Sequence, residues 1–108
     1  MSEWQSEAEF RQHLNTPFRV QVNAPNPIDL TLVAVESRPS DATEEQGMER
    51  FSVFFTGSPE IMLPQDTYRL AHPEMGEFEI FLVAVAKEAN GYRYEAVYNY
   101  YKPNAQAQ

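Results

Sequence analysis

The side chains able to do chemistry are few, and their types narrow what that chemistry can be. The chain holds two histidines and no cysteine, which excludes disulfides, thiolate metal sites and cysteine nucleophiles. His13 and His72 form no His-Glu-x-x-His zinc pair. No Gly-x-x-x-x-Gly-Lys loop or Gly-x-Gly-x-x-Gly turn is present to cradle phosphates, and no serine occupies a Gly-x-Ser-x-Gly elbow. His72, with Tyr68 and Glu74 close in sequence, is the histidine better suited to a small polar site. The simpler expectation is a turn histidine ahead of Pro73, bonded to a backbone carbonyl. His13 falls at a helix end, where the ring meets the negative end of the dipole. Asp41, Glu44, Glu45 and Glu49 cluster, but without the one-three-five ligand spacing and closing bidentate glutamate of a calcium loop. A solvated loop is the expected outcome there. Tyr92, Tyr94, Tyr98 and Tyr100 share a parity, so a regular strand puts them on one face. Three roles fit that face: core, protein interface, or a surface for stacking a ligand.

The elements that must position these groups are mostly strands. Ser6 and Glu9 have capping-box spacing, which predicts a short helix start. Phe10 and Leu14 then lie one turn apart, with Trp4 beneath them, and Thr16-Pro17 ends the helix. Phe18 to Val22 alternates with period two, and Ala24 to Pro27 reads as a turn. Ile28, Leu30 and Leu32 alternate next, with Val33 and Val35 on the other face. Residues 37–49 are polar and charged and read as the longest loop. A strand resumes at Phe51 to Phe55. Ile61-Met62-Leu63-Pro64 is expected as a tucked-in connector, followed by a short strand from Thr67 to Leu70 and a tight turn at Met75-Gly76. Phe78 to Val85 becomes apolar on both faces, as expected of a central strand. Asn90-Gly91 signals a hairpin with a type I′ turn, and the tyrosine-bearing strand follows. The predicted fold is mainly β (α+β): a small six-stranded antiparallel barrel or roll with one N-terminal helix. One domain is expected over residues 1–108, with the helix in 1–16, the barrel in 18–101 and a frayed tail in 102–108.

Composition agrees with such an object. In 108 residues there are sixteen acids and eight bases, for a net charge of −8, and the aromatic share is 13%. Rings of that number can carry a core without metal or disulfides. An acidic chain lacks the basic face that nucleic-acid binding requires and is repelled by anionic membranes. No apolar run approaches the ~20 residues of a membrane-spanning helix. No cofactor is expected, and a cytoplasmic setting is the default.

Several segments together resemble a family of small uncharacterised bacterial proteins. They are Leu63-Pro64-Gln65-Asp66-Thr67-Tyr68-Arg69-Leu70-Ala71-His72, then Ile80-Phe81-Leu82-Val83-Ala84-Val85, then Tyr94-Glu95-Ala96-Val97-Tyr98-Asn99. The family pattern is Leu-x-Gln-Gly-x-Tyr-x-x-x-His, a Leu-Gly turn, Phe-Leu-Val-Pro-Val, and Tyr-Glu-Ala-Val-Phe-Asn. Here Asp66 replaces the glycine and Ala84 the proline. The resemblance singles out Gln65, Tyr68, His72, Gly76, Tyr94, Glu95 and Asn99. In a structural role Gln65 and Asn99 would cap strand ends, His72 would pin its turn, and Glu95 would pair with Arg69 or Arg93. In a binding role they would gather into one pocket. Family members accompany phage-tail-collar-like fibre proteins, which implies an accessory or assembly role. Two functional readings follow. The first is a non-enzymatic interaction module that docks a protein partner, tail-fibre-like or a second copy, through the tyrosine strand including Tyr98 and Tyr100, or by strand addition at an exposed edge. The second is a small-molecule-binding or hydrolytic barrel with His72, Tyr68 and Glu95 at its mouth.

Overall fold

A computed structural model describes residues 5–22, 27–37 and 48–101. Of Met48, Glu49, Tyr100 and Tyr101 it describes the backbone alone. Trp4, the acidic residues Asp41, Glu44 and Glu45, the Ala24–Asn26 part of the first turn and the tail 102–108 lie outside the described residues.

A short helix, α1 (Glu7–Gln12), is followed by six strands: β1 (Pro17–Val20), β2 (Ile28–Ser37), β3 (Met48–Gly57), β4 (Asp66–His72), β5 (Gly76–Glu88) and β6 (Gly91–Tyr101). The capping box forms: the Glu9 amide donates to Ser6 Oγ and the Ser6 amide to Glu9 Oε1, each at 3.1 Å. The helix is shorter than its sequence pattern suggests. Asn15 enters the left-handed region at φ 66, its amide donates to the Leu32 carbonyl at 2.6 Å, and the Thr16 hydroxyl takes the His13 carbonyl at 2.6 Å. These bonds turn the chain into β1 before Pro17 has to stop it.

The strands close into an antiparallel barrel in the order β1-β2-β3-β6-β5-β4. It is two three-stranded meanders joined along β3–β6 and β1–β4. Alternation fills the inside with Phe18, Val20, Leu30, Leu32, Phe51, Val53, Phe55, Leu70, Phe78, Ile80, Leu82, Tyr94 and Ala96. Phe10 is fully buried and plugs one end. Its ring centroid lies 6.0 Å from Phe51 and from Phe78, 6.4 Å from Phe18 and 5.5 Å from Tyr98. Glu7 and Arg11 fasten the helix to the end of β2 through Ser37.

Two bulges correct the expected faces. A register shift between Leu32 and Ala34 returns Val35 to the core, although alternation alone sends it outward. A second shift, between Ala84 and Ala86, leaves Val85 exposed. β5 is not covered on both faces: Phe81 is also exposed. The connector is tucked in only at Leu63, with Ile61 and Met62 exposed. The hairpin turn is Ala89-Asn90, since Glu88 pairs with Gly91, and Asn90 is not among the positive-φ residues a type I′ turn would need. Gly91 serves packing instead: at φ +150, a Cβ there would stand 1.8 Å from the Gly57 carbonyl oxygen. Among the described residues, no helix is long and apolar enough to cross a membrane.

Candidate functional site

Among the described residues, a compact polar grouping lies where the exit of α1 meets the β4–β5 turn. β4 ends at His72, and the turn through Pro73, Glu74 and Met75 folds back over the ring. His72 Nδ1 accepts from the amides of Glu74 at 3.0 Å and Met75 at 3.2 Å. Nε2 lies 3.0 Å from Thr16 Oγ1. The single Thr16 hydroxyl proton already goes to the His13 carbonyl, so Nε2 must carry a proton and donate it to Thr16. These four contacts define one species, the neutral Nε2–H tautomer. The ring packs at a tilt against its neighbours, its centroid 4.5 Å from Phe18 with planes at 38° and 4.6 Å from His13 with planes at 55°. Burial pushes the His72 pKa below its ordinary value, proximity to His13 lowers it further, and Glu74 opposes both. His13 Nδ1 stands 3.6 Å from Glu74 Oε1. A cleft of about 250 Å³ is lined by His13, Thr16, Pro17, His72, Pro73 and Glu74.

The expected turn histidine is therefore present, but its partners differ from the expectation. They are two amides and a hydroxyl, not a carbonyl, because the ring sits inside the turn it closes. Both nitrogens are committed to the fold. Among the described residues, no three His, Cys, Asp or Glu side chains converge to hold a metal ion.

The remaining candidates do not gather around His72. Tyr68 shares its parity on β4 but lies four residues away, or ~13 Å along the strand. The Tyr68 hydroxyl donates to the Pro64 carbonyl at 2.6 Å, and burial raises its pKa, helped by Asp66 and Tyr94. Glu95 faces outward, opposite Val83 and Phe54, and pairs with neither expected arginine. Arg69 instead reaches Glu79 at 3.3 Å and Glu77 at 3.8 Å, while Arg93 stacks 4.7 Å from the Phe54 ring centroid. Gln65 is exposed just before β4. Asn99 sits within β6 opposite Arg50, not at a strand end. The pocket that would join Tyr68, His72 and Glu95 does not assemble.

The tyrosine face belongs to the core. Tyr94 is fully buried, accepts from the Leu63 amide at 2.9 Å and donates to the Ile61 carbonyl at 3.5 Å. Burial raises its pKa, partly offset by the Leu63 amide. Tyr98 stacks on Phe51, centroids 4.8 Å apart and planes at 3°, and burial raises its pKa strongly. Tyr92 is half-buried under Lys87. The Tyr100 side chain lies outside the described residues. A second hollow, an open groove of about 390 Å³, runs past Asp29, Thr31, Thr56, Ser58 and Asn90, and Arg19 already holds its one carboxylate.

Pattern reading missed Thr16 as the acceptor for His72, since no local signal links positions that far apart. It also missed the outward apolar residues Phe81, Val85 and Val97. The class of protein is thus a six-stranded antiparallel barrel closed at one end by a helix-borne aromatic plug. The chain belongs to the family described as a domain of unknown function (DUF6916), whose model matches residues 6–98. Neither a curated protein nor a solved structure matches the chain.

Proposed function

We propose that this domain is a non-enzymatic protein-interaction module with an accessory role in assembly. The observation that carries the reading is the outer face of β5 and β6, where Phe81, Val85 and Val97 are 51%, 46% and 55% exposed. The inner face of both strands is already filled, so these side chains contribute little to the barrel and gain burial only against another surface. The groups with chemical potential, His72, Tyr68 and Tyr94, are meanwhile held in bonds internal to the fold. Interaction therefore moves from the tyrosine face to the opposite face of the same strand. The resemblance to chains that accompany phage-tail-collar-like fibre proteins makes a fibre-type protein the first partner to test. A few apolar anchors would carry most of the affinity, with the surrounding acids setting specificity and on-rate.

The test compares the tagged wild type with a Phe81→Glu/Val97→Glu variant in native extract, reading retained proteins by mass spectrometry. One protein should be held near stoichiometrically by the wild type and lost by the variant. Because both positions are exposed, the variant's melting temperature should stay within about 3 °C of the parent's. Equal retention by both forms, or retention by neither, overturns the reading.

A further inference from the structure

One carboxylate stands inside the apolar outer face of β5 and β6. Glu95 is half-buried there, between its cross-strand neighbours Phe54 on β3 and Val83 on β5. Such neighbours have Cβ atoms about 4.5–5.5 Å apart, so both side chains flank the carboxylate. Val97 follows Glu95 by two residues and Phe81 precedes Val83 by two, so both share its face, and both are exposed. Among the described residues, Glu95 forms neither an ion pair nor a side-chain hydrogen bond. The basic groups around it are engaged elsewhere. Arg93, two residues before it on β6, lies 4.7 Å from the Phe54 ring centroid. Lys87 lies over Tyr92, and Arg69 reaches Glu77 and Glu79.

We propose that Glu95 is the specificity anchor of this docking face and receives an arginine of the partner protein, set among apolar side chains. The inference rests on the interaction reading above and names the chemistry of the partner. Any surface that covers Phe81 and Val97 also takes water away from the Glu95 carboxylate. An ionised group left buried and unpaired carries a large penalty, which a cation on the partner offsets. A guanidinium suits the site better than an ammonium. It is the more weakly hydrated cation, its fork matches the two carboxylate oxygens, and its plane packs against apolar and aromatic walls. The net charge of −8 favours the approach of such a partner. A second copy of this chain fits poorly, because a twofold pairing through the patch sets each Glu95 near the axis, facing its own counterpart.

The experiment titrates the intact, isotope-labelled protein with synthetic peptides and follows the backbone amide shifts by nuclear magnetic resonance. The probes are Ser-Leu-Arg-Leu-Ser and two controls, one with lysine and one with citrulline, the uncharged isostere of arginine, at the central position. The arginine peptide should shift the amides of Phe81, Val83, Glu95 and Val97 saturably and bind at least about 5-fold tighter than the citrulline peptide. The lysine peptide should fall between them. Glu95→Gln should erase the discrimination while its melting temperature stays within about 3 °C of the parent's. An absence of saturable shifts at these four amides overturns the proposal, as does equal binding of the arginine peptide and either control, or discrimination that survives Glu95→Gln. Shifts at the same amides that grow with protein concentration alone would instead assign the face to a second copy. If a partner captured from extract depends on Phe81 and Val97 but is held equally by Glu95→Gln, the arginine inference fails and the interaction reading stands.

Discussion

As the pH falls below 6.5, the ordinary histidine value, the imidazole at position 72 gains a proton in the unfolded chain before it does so in the fold. In the fold, Nδ1 already accepts from two amides, so an added proton there would meet two donors. Burial disfavours the cation first, a charged His13 adds to the effect, and Glu74 counters it in part. With the folded pKa depressed, the neutral ring's contribution is complete above the unfolded value. It is lost as pH drops from there towards the folded pKa. While only the unfolded ring is charged, each pH unit removes about 1.4 kcal/mol. For 108 residues, an unfolding entropy near ~2.1 cal/mol/K per residue makes each kcal/mol worth about 4–5 °C. His72→Asn provides the subtraction, because its Oδ1 can still accept from the two turn amides and cannot titrate. The substitution forfeits the Thr16 bond and the contacts with Phe18 and His13, an expected loss of about 2 kcal/mol at neutral pH. Melting of both proteins, followed by circular dichroism, should show a gap of about 9 °C near neutrality that narrows as the pH falls below the histidine value, by at most about 6 °C per pH unit. Carboxylates common to both proteins cancel in the difference. A gap that stays constant, or widens on acidification, would refute the tautomer assignment.

Three substitutions test the core. Tyr94→Phe removes the hydroxyl that accepts from the buried Leu63 amide and should cost about 1–2 kcal/mol by urea denaturation; no loss would mean the amide finds another acceptor. Tyr98→Ser deletes the ring stacked on Phe51 and should cost about 3–4 kcal/mol, whereas unchanged stability would remove Tyr98 from the core. Gly91→Ala places a Cβ 1.8 Å from the Gly57 carbonyl oxygen, so a loss above about 4 kcal/mol is expected; a melting temperature near the parent's would show that β3 and β6 can separate there.

Much of the barrel was legible because it rests on local rules. Ser6 and Glu9 announced the helix start, Phe10 its buried face, and period-two alternation most strands. What escaped depended on geometry that alternation does not encode. One extra residue near Val33 reverses the faces of everything after it, so Val35 read as outward and is buried. Apolar residues on both faces of β5 suggested a strand covered twice, yet the outer surface of a barrel remains open to solvent or a partner. Asn90-Gly91 carried a strong turn signal, but the glycine is required by the Gly57 backbone beside it. The two sides of the His72 relay lie 56 residues apart in sequence. Candidates chosen by resemblance, such as Glu95 and Asn99, fell on the outer face because neighbours in sequence on a strand alternate between faces.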